Sequence, residues 1–282
     1  MKFAFFTNKG PVREHNEDAI FAMDNVVSNC DMISPIAYDT KNAYVTKNDN
    51  GNYGFVVVDG MGGYEGGEKA AQIVASAFME HIHIFPLLFH SEDWNISTSE
   101  AKNKITAILF NAAKKIISDA KDNPELSHMG AVCAGIVFCN ENMLVFNCGD
   151  CRVYGQLDNH LEKLSHDHSL VQELFDRGEI GENDMRTHVR KNIVTACVST
   201  NLNYLDIFFR EISYEEKYKR IFICSDGVWE ALSVAELEKC FCEDSSESAD
   251  NMAEKLLALQ ERCHDNVSFI IIDTENTKHY SS

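Results

Sequence analysis

Four aspartates border apolar runs in this chain. Phe55-Val56-Val57-Val58 leads into Asp59-Gly60, Val145-Phe146-Asn147-Cys148-Gly149 into Asp150, and Ile221-Phe222-Ile223-Cys224-Ser225 into Asp226-Gly227. In the reverse sense, Asp265-Asn266 precedes the run Val267–Ile272. In an antiparallel sheet the start of one strand lies beside the end of its neighbour, so these carboxylates can gather on one rim. Glu17 and Asp18, in Asn16-Glu17-Asp18, can join them.

One Asp-Gly after a strand is commonly just a turn. The recurrence, together with Asn16-Glu17-Asp18, asks for a chemical reason. Clustered carboxylates repel one another and need a positive charge among them. No His or Cys closely accompanies the aspartates, and hard oxygen donors select magnesium or manganese over zinc. A two-metal hydrolytic site is the economical reading. Glycine beside an Asp lets a backbone carbonyl approach a metal without a Cβ in the way. Arg13 is a candidate clamp for an anionic substrate group such as a phosphate.

Short apolar strands and amphipathic helices must position these residues. The strands are expected at Lys2–Thr7, Phe55–Val58, Ala134–Phe138, Leu144–Asn147, Val153–Gln156, Arg220–Cys224 and Val267–Ile272. Several are apolar throughout, as strands covered on both faces are. Ser97 with Glu100, and Ser233 with Glu236, are capping boxes that open helices. Gly67–Phe85 and Ala249–Cys263 read as further helices. Strands follow one another in groups, which predicts a layered α+β domain with antiparallel sheets under helices. The polar stretch at about 26–53 reads as an insertion. Its Asn50-Gly51 suits a hairpin turn, and a calcium loop starting at Thr46 fails because Val57 stands where a bidentate Glu is needed.

Composition narrows the function. The 282 residues are 45% hydrophobic and 24% charged, as in a folded globular chain. No repeat or linker divides them, so residues 1–282 are expected to form a single domain. A formal charge of −19 disfavours nucleic acid and anionic membrane surfaces as partners. No apolar stretch approaches a membrane span, and Phe3–Phe6 is too short for a signal peptide. Ten cysteines then read as reduced thiols in a cytoplasmic protein. Cys148 and Cys151 have redox-motif spacing, but they close a strand and flank Asp150. Cys240, Cys242, Cys263 and His264 fit no common zinc spacing.

Taken in order, the motifs resemble the metal-dependent protein serine/threonine phosphatases of the type 2C group, in a bacterial-like form. The resemblance runs through Gly10-x-Val12-Arg13-x-x-Asn16-Glu17-Asp18, Val57-Val58-Asp59-Gly60-Met61-Gly62-Gly63 and Gly66-Gly67-Glu68. It continues through Met129-Gly130, Gly149-Asp150-x-Arg152, Leu164-Ser165-x-Asp167-His168, Ser225-Asp226-Gly227-Val228-Trp229 and Asp265-Asn266. It departs from the family at Ala131-Val132, where Thr-Thr is usual, and at Cys151, where Ser is common.

The resemblance implies a four-layer α-β-β-α sandwich of two antiparallel sheets flanked by helices. It implies two core manganese or magnesium ions and a third, weaker one. It assigns Asp59 as the bridging ligand, with the Gly60 carbonyl, Asp226 and Asp265 as further ligands. Glu17 and Asp18 act mainly through metal-bound waters, and Asp150 with Asp226 serves the third ion. Asp59, Arg13 and Asp226 form the catalytic set, with Arg13 as substrate-phosphate ligand. Met61 stands where animal and plant members carry His, so leaving-group protonation falls to a metal-bound water. A mobile flap is implied at about 174–195, with Gly178, Gly181, Met185, His188 and Arg190. His15, His166 and His168 are expected to be structural.

The expected activity is hydrolysis of phosphoserine and phosphothreonine in proteins by metal-activated water, without a phosphoenzyme, reversing a Ser/Thr kinase. Phosphoprotein substrates and a cognate kinase are the expected partners of a monomeric enzyme. A phosphoprotein-binding module of the same fold would lack a metal Asp. A small-molecule phosphohydrolase remains an alternative, whereas a nuclease would want a basic track.

Overall fold

The computed structural model describes residues 2–23, 25–39, 54–82, 97–139, 142–213, 218–242 and 249–274. The strands are β1 (Lys2–Asn8), β2 (Ala19–Ala22), β3 (Asn25–Ser28), β4 (Ile36–Asp39), β5 (Gly54–Met61), β6 (Gly130–Phe138) and β7 (Asn142–Cys148). They continue with β8 (Arg152–Leu157), β9 (His160–Lys163), β10 (Val198–Ser199), β11 (Phe208–Ser213), β12 (Arg220–Cys224) and β13 (Val267–Asp273). The helices are α1 (Tyr64–Ile82), α2 (Thr98–Asp122), α3 (Leu170–Asp176), α4 (Glu182–Met185), α5 (Asp226–Ala231), α6 (Val234–Cys242) and α7 (Ala249–Leu257).

Two antiparallel sheets stack face to face. One runs β4-β1-β13-β12-β8-β9, the other β11-β7-β6-β5-β2-β3, with β10 paired to β6 beyond the end of β7. Side-chain alternation explains why the central strands are apolar throughout. In β1, Phe3 and Phe5 enter the core between the sheets, while Ala4 and Phe6 face the helices. In β5, Phe55 and Val57 point inward and Val56 and Val58 outward. Phe3 and Phe55 meet edge to face across the sheets at 5.0 Å, a geometry that adds about 0.5–1.5 kcal/mol beyond area burial.

Helices α1 and α2 cover the outer face of the β5-containing sheet. Helices α5, α6 and α7 cover the other. The predicted four-layer α-β-β-α arrangement is therefore present. Both predicted capping boxes form: Ser97 with Glu100 opens α2, and Ser233 with Glu236 opens α6.

Some boundaries differ from the sequence reading. The polar stretch 26–53 is not wholly an insertion, because it supplies most of β3 and all of β4. Both lie at sheet edges, where a clean alternation is not required. The Asn50-Gly51 turn lies outside the described residues. Helix α1 begins at Tyr64, three residues before the expected Gly67, without a Ser or Thr signal. Ala249–Cys263 splits into α7 and a 3₁₀ turn at Gln260–Arg262. The segment 174–195 starts inside α3 and contains α4. No helix among the described residues is long and apolar enough to cross a membrane.

Candidate active site

The strand registers carry the acidic residues to one end of the sandwich. Asp59 lies opposite Val132 in β6, and Cys148, at the end of β7, lies opposite Cys133. Ala19 pairs with Val58, so Glu17 and Asp18 enter β2 beside the end of β5. In the other sheet Cys224 pairs with both Arg152 and Phe269. Asp226 therefore follows β12 at the same end at which Asp150 precedes β8 and Asp265 precedes β13.

Electrostatics reports how close they come. Desolvation holds the Asp59 carboxyl well above the usual range, and the charges of Asp18, Asp226, Asp150 and Asp265 push it further. Asp226 is raised for the same reasons, by desolvation and then by Asp150, Asp265 and Asp18. Asp18 is buried and pushed up to about 7 by desolvation, against the opposing hydrogen bonds of Ser268 and Ser225. Asp150 also rises to about 7, through desolvation and the charge of Asp167, with Arg152 opposing. Glu17 is raised by desolvation, and Arg13 counters it.

A polar network fixes the loops that present these groups. The Asn266 amide donates to the Lys9 carbonyl at 3.0 Å and the His15 carbonyl at 2.8 Å, while its oxygen accepts from the Glu17 N–H. Asn16 Nδ2 donates to Thr7 Oγ1 at 2.9 Å and to the Cys30 carbonyl. Thr7 Oγ1 lies 2.7 Å from Ser268 Oγ, and Ser225 Oγ donates to Asp18 Oδ2 at 2.9 Å. Gly60 and Gly67 pack without room for a side chain. A Cβ on Gly67 would overlap the Glu17 carboxylate and approach the Gly60 carbonyl oxygen. That places the Glu17 carboxylate and the Gly60 carbonyl side by side at the head of α1.

The donor set fits divalent cations. Asp18 Oδ1 is buried without any hydrogen-bond partner. A lone carboxylate oxygen among further carboxylates is costly unless a cation or a proton satisfies it. No three His, Cys, Asp or Glu side chains among the described residues yet close tightly enough on one point to hold an ion. Asp265 instead accepts from Arg13 Nη2 at 2.5 Å. Arg13 thus lies on the rim, half exposed and beside a predicted metal ligand, with Glu17 and Asp226 also acting on its charge.

Residues 41–260 match the protein phosphatase 2C family. The chain belongs to that family. Among curated relatives, the serine/threonine phosphatase stp of Listeria monocytogenes is 25% identical and covers 99% of this chain and 98% of its own length. The serine/threonine phosphatase Stp1 from Staphylococcus aureus has the same fold, with a TM-score of 0.76 at 24% identity over 96% of this chain and 94% of that one. The catalytic domain of the phosphatase PstP, solved in complex with two manganese ions, superposes with a TM-score of 0.68 at 20% identity, over 97% and 99% of the two chains.

Within this phosphatase family member the remaining sequence candidates also find their places. His168 Nδ1 accepts from the Gly149 N–H at 3.1 Å and so props the turn that carries Asp150. Burial lowers the His168 pKa, in keeping with a neutral acceptor. His166 pairs with Asp176, at the end of α3, at 2.9 Å. Cys148 and Cys151 face opposite cores, one under the helices and one between the sheets, and burial raises both thiols. The pair cannot act as a redox couple in this arrangement. Cys240 and Cys263 pack with the core beneath α6 and α7. The sequence reading missed Thr7, Ser225, Ser268 and the contacts of Asn16 and Asn266. Ser225 and Asn266 each adjoin a candidate ligand, which was the available signal.

Proposed function

We propose that this chain hydrolyses phosphoserine and phosphothreonine monoesters in proteins, opposing a Ser/Thr kinase. The observation that carries the reading is the meeting of Asp18, Asp59, Asp150, Asp226 and Asp265 at one end of the sandwich, with an Asp18 oxygen left unpaired. Asp59, the Gly60 carbonyl, Asp226 and Asp265 would hold two manganese or magnesium ions, with Glu17 and Asp18 around them. Asp150 with Asp226 would hold a third, weaker ion. When bound, the ions supply Lewis acidity to water and to the phosphoryl group.

The rest of the chemistry belongs to the chain's own residues. Arg13 binds the phosphoryl oxygens through its planar guanidinium, whose fork matches their spacing. Asn266 orients Asp265 by donating its backbone N–H to Asp265 Oδ1 at 2.9 Å. Ser225 and Ser268 hold Asp18 in place from beneath. The reading takes the chain as one catalytic domain, acting as a monomer in the cytoplasm on phosphoproteins. The test is phosphate release from a phosphothreonine peptide with added manganese, and its loss with a chelator. Turnover unaffected by chelation would refute the metal assignment.

A further inference from the structure

We infer that the loop Arg186–Ile193 is a cationic docking surface for acidic residues flanking the phosphorylated residue of a protein substrate. The inference rests on the phosphatase reading above and extends it to substrate class.

Charge distribution is the first observation. The chain carries a formal −19, yet no Asp or Glu occurs from Arg186 to Leu205, whereas Arg186, His188, Arg190 and Lys191 fall within six residues. An acidic protein repels a phosphopeptide at long range, so a local positive loop matters for capture.

The loop is anchored in a way that leaves one cation available. Arg186 donates to the Glu230 and Leu232 carbonyls at the end of α5, and Lys191 pairs with the Glu230 carboxylate. The Arg190 N–H donates to His188 Nδ1 at 3.1 Å, closing a turn with Val189 at its tip. Val189 is 95% exposed and Ile193 46%. The Arg190 side chain is exposed and has no ion pair or hydrogen bond among the described residues. Two cations therefore fix the loop, and the third is presented to solvent beside an exposed apolar tip.

The loop also adjoins the candidate active site. Glu230, its anchor, follows Asp226 by one helical turn, an axial rise of about 6 Å. A cavity between loop and helix is lined by Met185, Arg186, Lys191, Trp229 and Glu230, and Trp229 donates to the Asp150 carbonyl at 3.0 Å. An extended peptide advances roughly 3.3 Å per residue. A carboxylate three to five residues from the phosphorylated one can thus pass from the acidic cluster over Glu230 to Arg190.

The experiment compares phosphothreonine peptides whose positions three to five residues away are Asp, Ala or Lys. At low salt the wild type should favour the Asp peptide over the Lys peptide by about tenfold in kcat/KM, mainly through KM, and less at high salt. R190E should abolish or invert that order while leaving turnover of p-nitrophenyl phosphate unchanged. Equal kcat/KM on all three peptides, or an order that survives R190E, would overturn the inference. Should no peptide be hydrolysed, the phosphatase reading fails separately. Fluorescence anisotropy of the labelled, unphosphorylated Asp and Lys peptides then decides the docking surface. Tighter binding of the Asp peptide, lost in R190E, supports it, and no difference refutes it.

Discussion

Ser225 reaches across 207 positions of sequence to donate its hydroxyl to Asp18 at 2.9 Å. The same oxygen accepts from the Ser268 N–H at 3.1 Å, so one hydroxyl joins β13, the head of α5 and the entry to β2. The other Asp18 oxygen has no partner. The chain holds this carboxylate firmly on one side, and on the phosphatase reading the other side is the one that would face a cation.

Ser225→Ala should accordingly destabilise the protein by about 1–3 kcal/mol, because it leaves the buried Ser268 N–H unpaired and removes one of the two hydroxyls that hold Asp18. Denaturant midpoints in chelator would measure this. Metal affinity should weaken as well, since Asp18 loses its fixed orientation. A variant as stable as wild type, with unchanged manganese affinity, would show that the serine positions nothing.

The acidic cluster should make the metal-free protein sensitive to rising pH. Desolvation raises the Asp18 and Asp150 carboxyls to about 7, well above their unfolded values. The folded state then binds more protons than the unfolded state between about pH 4 and 7, and stability falls as pH rises through that window. In chelator, Tm should drop by several degrees from about pH 5 to 7.5. Manganese should restore it at the upper end, by binding the ionised carboxylates of the folded state. A chelated Tm that climbs over this range would contradict the electrostatic account of the site.

Two substitutions should separate metal holding from substrate holding. Asp59→Asn should cost on the order of 10²-fold or more in turnover, and lose manganese, while keeping the fold. Arg13→Ala should instead raise KM by roughly tenfold to a hundredfold, the range expected for a lost bidentate contact. Because Arg13 pairs with Asp265, its removal should leave manganese affinity equal or slightly tighter. A loss of manganese binding in Arg13→Ala would make the arginine a structural prop.

Much of this candidate site was legible because each aspartate borders an apolar strand, just past its end or just before its start, and antiparallel pairing does the rest. Asp59, Asp226 and Asp265 follow from that rule alone. The supporting groups do not. Thr7 and Ser268 look like ordinary strand residues, and only the β1–β13 register, with Thr7 opposite Ser268, brings their hydroxyls together. Edge strands were hidden for a related reason. Asn25–Ser28 is only half buried, and its residues need not alternate. The first three residues of α1, Tyr64 to Gly66, were missed because Gly66 weakens helix propensity. Gly67 is there for close approach to Glu17, a requirement invisible without the fold. Cys148 and Cys151 have the spacing of a redox pair, yet the chain crosses from one sheet to the other between β7 and β8.

The ion pair of Arg152 and Asp167 offers the last test. Arg152 Nε and Nη2 donate to Asp167 Oδ2 at 2.9 and 2.6 Å, with side chains only 14% and 2% exposed. Desolvation opposes ionisation of Asp167, but Arg152 and Lys163 outweigh it and hold the carboxyl below its usual value. Removing Arg152 leaves the buried Asp167 carboxylate with only the longer 3.4 Å contact to Lys163, so Arg152→Met should cost about 3–5 kcal/mol. The double variant Arg152→Met with Asp167→Leu should regain most of that, since the buried carboxylate is gone and Lys163, its other partner, is 31% exposed and still donates to Gln172. Denaturant titrations of the single and double variants measure the difference. Activity should not follow stability. The Arg152 guanidinium lies 3.6 Å over the Trp229 ring, and Trp229 holds the Asp150 carbonyl. Without that stack the Asp150 turn loses its seat, and the restabilised double variant should remain slower than wild type. A double variant as unstable as Arg152→Met would locate the energy in the stacking and in the bond that Arg152 Nη1 donates to the Tyr154 hydroxyl at 3.2 Å, rather than in the charge pair.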